Sequence, residues 1–177
     1  YVMVGAWINC KDAWTDHPDH TQEDEAYNEA EVQRAVQYAK QYPDIIKMIA
    51  VGNEAMVHWA TSYFVPPSVI LKWVNYLQEL KRKGDLPSDL WITSSDDFAA
   101  WGGASDNYHT EDLNRLIAAV DFVSMHTYAF HNSHYSPDYW YIRDPSLSKI
   151  EQIDASMQRA GEFAIGQYND VRQYILS

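Results

Sequence analysis

The 177 residues include one cysteine, Cys10, so no intramolecular disulfide and no thiolate metal cluster can form within the chain. A lone thiol leaves the redox compartment open. No apolar run approaches the ~20 residues that span a bilayer, and no signal peptide is visible. Basic residues are scarce, 13 Lys and Arg against 25 Asp and Glu, for a formal charge of −12. That sign disfavours nucleic acid and anionic membranes, and it is compatible with a neutral or cationic partner; the lack of a long apolar run argues separately against membrane insertion. No Gly-x-Gly-x-x-Gly turn follows a strand-like run, which argues against a dinucleotide cofactor. The histidine groups His126, His131 and His134, and separately Asp16, His17, Asp19 and His20, lack a ligand spacing such as His-Glu-x-x-His. Solvated loop residues are the expectation there, with no metal and no other cofactor.

What is abundant is aromatic: Trp 7, Tyr 13 and Phe 5 make up 14% of the chain. Aromatic rings pack cores, and their exposed faces also grip the apolar faces of sugar rings. With 46% hydrophobic residues the chain can bury a real core, as one domain or part of a larger one. Residues 1–8 begin at full β-propensity with no lead-in, which predicts that the natural polypeptide extends upstream.

A strand–helix alternation runs through the chain four times. Residues 1–8 predict a strand, followed by a polar loop over 9–21 and a helix over 23–42. That helix has an acidic first turn, Glu23 to Glu25, suited to the positive end of its dipole. A second strand over 45–51 precedes a helix that starts at Pro66-Pro67, ends on Lys81-Arg-Lys83 and is closed by Gly84. A third strand over 90–94 precedes a short helix over 110–119, and a fourth strand over 120–125 precedes an aromatic loop over 130–143. A final amphipathic helix over 148–175 is expected to break near Gly161 or Gly166. Four such units with parallel strands permit an open doubly wound sheet or half of an eight-stranded barrel. Polar and aromatic residues recur at every strand tip: Trp7 and Asn9, Asn53 and Glu54, Asp96, His126 and Tyr128. In a barrel those tips converge on one cleft, and a partial (β/α)8 barrel is the predicted α/β fold.

The stretch Ile49-Ala-Val-Gly-Asn-Glu54 is the sharpest signal. A β-branched run stops at Gly52, where the backbone is free to turn, and places a carboxylic acid and an amide at the end of a buried strand. Asn-Glu at such a place either caps the following helix or carries chemistry.

The sequence resembles glycoside hydrolase family 17, the β-1,3-glucanase-type barrels, in four places. These are Val51-Gly-Asn-Glu54; Val4-Gly-Ala-Trp-Ile8 one unit earlier; Ile92-Thr-Ser-Ser-Asp96 with Phe98 and Trp101; and Val120-Asp-Phe-Val ahead of His126 and Tyr128. The resemblance implies a single incomplete barrel over residues 1–177, from a third strand through a sixth helix. It implies that Glu54 is the general acid/base and that Asn53 bonds the sugar 2-hydroxyl beside the reacting carbon. Tyr128 would stand near the nucleophilic carboxylate, and Asp96, Trp7, Trp101 and His126 would contact substrate, with Trp59 a further candidate sugar platform. The family's nucleophile, a Glu in a Glu-Thr/Ser-Gly-Trp motif on a seventh strand, has no counterpart in the sequence. Asp97, like Asp96, falls among the substrate contacts and not at the nucleophile. The expected partner is a β-glucan, the expected activity that of a retaining glycosidase in the full-length protein, and the expected location outside the cytoplasm, because polymeric glucan does not cross membranes. The chain alone is expected to be inactive and to be able to self-associate through open barrel edges. A glucan-binding fragment without catalysis and a transglycosylase are the alternatives.

Overall fold

The structure is a computed structural model that describes residues 1–104, 106–130, 138 and 140–177. Its elements are β1 (Val2–Ala6), β2 (Cys10–Lys11), β3 (Asp19–Glu23), α1 (Glu25–Gln41), β4 (Ile46–Asn53), α2 (Pro67–Lys83), β5 (Trp91–Asp97), α3 (Glu111–Ala119), β6 (Ser124–His126) and α4 (Lys149–Leu176). A π-helical turn over Ala99–Gly103 follows β5.

Four strands form one parallel sheet in the order β1-β4-β5-β6, and β2 and β3 pair separately as an antiparallel ribbon. The order of the parallel strands follows the chain without reversal. Right-handed crossovers that all advance in one direction set their helices on one face of a sheet. Accordingly α1 packs on β1 and β4, and α2 on β4 and β5. Ile49, Val51 and Ile92 fill the layer beneath those helices with Val32, Val36, Ile70, Val74 and Leu77, whereas Met3 and Trp91 remain exposed.

Local chemistry sets the helix limits. The Asp24 side chain accepts from the Tyr27 amide to open α1. Pro67 opens α2, and Gly84, at φ 79°, closes it in the left-handed conformation that favours glycine. Thr110 caps α3, and Ser148 with Glu151 forms a capping box on α4.

Three expectations are corrected. Glu23 lies in β3 and does not open α1, because its carboxylate is taken by Lys72, by Trp73 Nε1 at 2.8 Å and by Asn28 Nδ2 at 3.1 Å, which tie the ribbon to α2 and α1. Burial raises the Glu23 carboxyl, but these donors outweigh it and hold it below its ordinary range. The fourth strand is shorter than its apolar run. Residues 121 and 122 attach to β5 through mixed bonds, with the Asp121 carboxylate accepting from the Ile92 amide at 2.7 Å and Thr93 Oγ1 donating to the Phe122 carbonyl at 2.6 Å. Finally, α4 runs unbroken through Gly161 and Gly166 for 28 residues. A helical glycine costs only about 1 kcal/mol, too little to interrupt a helix anchored near its end.

That anchor is a notch. Gly102 has φ 90°, and a Cβ there would stand 2.1 Å from Tyr174 Cδ1, while one on Gly103 would stand 2.7 Å from Val171 Cγ2. Both contacts come from α4, so the missing side chains let the helix seat on the π-helical turn. Gly102→Ala should therefore destabilise the fold by about 3 kcal/mol, from overpacking and a disfavoured φ. Urea unfolding measures it, and adding Tyr174→Ala should recover the overpacking part but not the backbone part.

Candidate active site

The tip of β4 carries the carboxylate of interest. Val51 is buried, Gly52 turns at φ 79°, and Glu54 itself sits at φ 48°. A Cβ on Gly52 would lie 3.0 Å from Ile70 Cδ1 and 3.2 Å from Ala55 Cβ, so glycine serves both the turn and the close approach of α2. Two bonds from β5 fix the turn: the Glu54 amide donates to the Ser95 carbonyl at 2.9 Å, and the Met56 amide donates to Asp96 Oδ2 at 2.8 Å.

Glu54 keeps 25% of its side chain exposed, and β6 and the residues just beyond it converge on it. Tyr128 donates its hydroxyl to Glu54 Oε1 at 3.0 Å, and His126 Nδ1 lies 2.9 Å from the same oxygen. His126 Nε2 is 2.7 Å from Ser95 Oγ, which is 3.2 Å from Ser124 Oγ. The pattern can reverse. With Glu54 ionised, Nδ1–H donates to it and Nε2 accepts from Ser95. With Glu54 protonated, the carboxyl donates and Ser95 becomes the acceptor. Glu54 can thus gain or lose a proton without losing its partner. Asn53 is exposed beside it, paired in register with Ser95.

Two further carboxylates stand close. Asp96 is fully buried, with Oδ1 accepting from the Asp97 amide at 2.8 Å and Oδ2 from Met56. Burial pushes its carboxyl up to about 7, with Asp97 and Glu54 adding to the rise against the two amide bonds. Burial also raises Asp97, whose Oδ1 accepts from the Ala99 amide at 2.9 Å; the Glu54 charge adds to that rise and His126 opposes it. Burial, then the hydrogen bond to Glu54, raises the Tyr128 hydroxyl.

Glu54, Asn53, His126 and Tyr128 thus share one site, and two of the expected substrate contacts are corrected. Asp96 presents no surface to a ligand: strand alternation turns Ser95 toward His126 and Asp96 the other way, where it braces the Glu54 turn. Trp101 is 0% exposed, with its Nε1 donating to the Ser124 carbonyl at 3.1 Å, so it is a core residue and not a sugar platform. Trp7 is half-buried at the tip of β1, with its Nε1 donating to Asn9 Oδ1 at 2.7 Å. Trp59 is exposed in the loop after β4. His131 and His134 lie outside the described residues, and among the described residues no group of three or more His, Cys, Asp or Glu side chains is placed to hold a metal ion. Tyr63 and Trp14 are rings that the sequence pattern does not mark as site residues. The Tyr63 ring lies 5.2 Å from that of Trp7 at the β1 tip, and its hydroxyl is raised by burial and then by the charges of Glu54 and Asp96. Its only sequence signal is an aromatic in the loop following the Glu54 turn.

No protein-family model matches the chain, and no curated protein matches it. A solved structure does. It is the crystal structure of an endo-laminarinase from Formosa Hel1_33_131, 57% identical, with a TM-score of 0.94 over 99% of this chain. The chain spans 45% of that protein's length.

The buried carboxyl gives a pH test. Between the ordinary Asp value of ~3.9 and about 7, the native chain holds an Asp96 proton that the unfolded chain has lost. The group therefore makes stability fall as pH rises through that window and adds no further change above it. Asp96→Asn cannot titrate, so the melting temperature of the variant relative to the native protein should climb from pH 4 to pH 7. A constant difference across that range would contradict a proton-retaining Asp96.

Proposed function

We propose that this chain forms the acid/base half of the active site of a retaining glycoside hydrolase that cleaves β-1,3-glucan. The observation that carries the proposal is the convergence of Tyr128 and His126 on a partly exposed Glu54 at a strand tip, in a chain 57% identical to part of an endo-laminarinase. The parallel strands in chain order with helices on one face support a second element of the reading, that residues 1–177 are one portion of a (β/α)8 barrel of the glycoside hydrolase family 17 type.

The chemistry follows from the groups present. A glycosidic oxygen leaves as a poor alkoxide unless it is protonated as the bond breaks, and the partly exposed carboxyl of Glu54 is the proton donor. The resulting carboxylate is held by the Tyr128 hydroxyl and by His126 Nδ1–H, so the ionised form has two donors waiting. In the second half of the reaction that carboxylate takes a proton from the attacking water. Asn53, exposed next to Glu54, is assigned the sugar 2-hydroxyl. The covalent step needs a second carboxylate about 5–5.5 Å from the first. Asp96 is buried and braces the turn, and the nucleophile is assigned to a segment outside these 177 residues. A polymeric substrate implies a protein that works outside the cytoplasm.

In the whole protein, Glu54→Gln should lower kcat on laminarin roughly 10²–10⁴-fold. It should leave the first step nearly intact on an aryl glucoside whose dinitrophenyl leaving group departs without a proton. Undiminished laminarin hydrolysis would sink the assignment. Tyr128→Phe should lower kcat by about tenfold, the value of one hydrogen bond to a charged group, and move the basic limb of the pH–rate profile.

A further inference from the structure

The loop between β1 and α1 holds an indole where neither burial nor backbone preference would place it. Trp14 is 61% exposed and has φ 65°, a left-handed conformation that bulky residues rarely adopt. It follows another left-handed residue, Asp12 at φ 56°, in a turn closed by Thr15 Oγ1 donating to the Asp12 carbonyl at 2.7 Å. The strained turn is held in place. The Trp14 amide donates to the Ser62 carbonyl at 2.9 Å, the Cys10 amide to the Tyr63 carbonyl at 3.3 Å, and His20 Nε2 bonds the Thr61 carbonyl at 2.6 Å. Three ties between this loop and residues 61–63 thus keep an apolar ring in water. Backbone strain that the surroundings maintain is found where a residue has work to do.

The ring is continuous with the site. Trp14 stacks on Tyr63, with centroids 4.8 Å apart and planes 24° from parallel. Trp7 completes the group at 5.2 Å from Tyr63 and 6.3 Å from Trp14. Trp7 is oriented by its bond to Asn9, a buried residue that exchanges two bonds with Asn28. Trp7 directly follows Ala6, which pairs with Val51 three residues before Glu54, so the rings lead from the tip of β4 out along the ribbon. The axial C–H groups of a β-linked glucopyranose make its faces apolar, and its equatorial hydroxyls leave a polar rim. Such a ring lies flat on an indole, and the exposed carboxylates of Asp12 and Asp16, two residues to either side of Trp14 in the chain, suit a neutral polyol better than an anion.

We propose that Trp14, backed by Tyr63 and Trp7, is a distal subsite that stacks a glucose ring of the β-glucan at least one unit removed from the ring beside Glu54. The proposal rests on the glucan-hydrolase reading of the Glu54 site. It predicts that affinity depends on chain length through one exposed side chain.

The test is calorimetric titration of the whole protein carrying Glu54→Gln, which binds without turnover, with β-1,3-gluco-oligosaccharides from two to six units. Adding Trp14→Ala should weaken binding of the hexasaccharide roughly tenfold, the scale of one aromatic stacking contact, and leave the disaccharide unchanged. Trp14→Tyr keeps a stacking face and should retain most of the affinity. Equal affinities with and without Trp14→Ala at every length would overturn the subsite while leaving the role of Glu54 standing. Equal weakening of the disaccharide and the hexasaccharide would overturn it as well. Failure of the Glu54→Gln protein to bind any of the oligosaccharides would overturn the glucan reading and the subsite with it.

Discussion

The site depends on one lateral attachment, that of the β4 tip to β5. Gly52 and Glu54 both take left-handed backbone conformations, and the neighbouring strand holds them there. Ser95 accepts the Glu54 amide, and Asp96 accepts the amides of Met56 and Asp97 through its two oxygens. A non-glycine residue in the left-handed region costs of order 1–3 kcal/mol, and a buried hydrogen bond to a carboxyl contributes a comparable amount. The turn thus persists because β5 supplies those bonds at this register. Shift β5 by one residue and Asp96 would exchange faces with Ser95, which would remove both the brace behind Glu54 and the hydroxyl that meets His126.

Features written in neighbouring residues were legible in the sequence. The helix α2 is spelled by Pro67, the Lys81–Lys83 cations and Gly84 within one segment, and its apolar spacing matches the face it buries. The carboxylate at the end of β4 was readable because a β-branched run ending in Gly-Asn-Glu marks both a strand and its tip. His126 and Tyr128 were readable because the apolar run over residues 120–123 points to a strand ending beside them, although the strand itself, Ser124–His126, is shorter than the one expected. Features set by distant partners were not. The β2–β3 ribbon is two short polar stretches that become strands by pairing with each other and by the hold of Lys72 and Trp73 on Glu23. Position at a strand tip does not say which face a side chain takes, and that is why Asp96 belongs to the interior; Trp101 lies in the π-helical turn beyond β5, where its bond to the Ser124 carbonyl turns it inward. The glycines of α4 looked like breaks because local propensity knows nothing of the notch at Gly102 that receives Tyr174.

The residues that surround Glu54 come from separate chain segments and are joined by a polar path. Ser124, Ser95, His126 and Glu54 form a continuous line of hydrogen-bonding atoms from the inner part of the sheet to its edge of chemistry. Every atom in that line can act as donor or acceptor, so the line adapts to the charge on Glu54 instead of fixing it. Asp97, buried beside it, keeps a further carboxyl near the imidazole while its own Oδ1 is engaged by the Ala99 amide. The site therefore combines a braced backbone turn with side chains whose donor and acceptor roles can exchange.

The φ of 48° at Glu54 carries a further implication. Glycine or asparagine would take that conformation with less strain than a glutamate does, so the residue the local backbone prefers and the residue the proposed reaction needs are different ones. Exchanging the carboxylate for glycine should make the fold easier to maintain while emptying the site of its acid. If Glu54 carries the proposed proton transfer, stability and function pull in opposite directions at this one position, and a search that selects variants for resistance to heat alone would tend to discard the carboxylate.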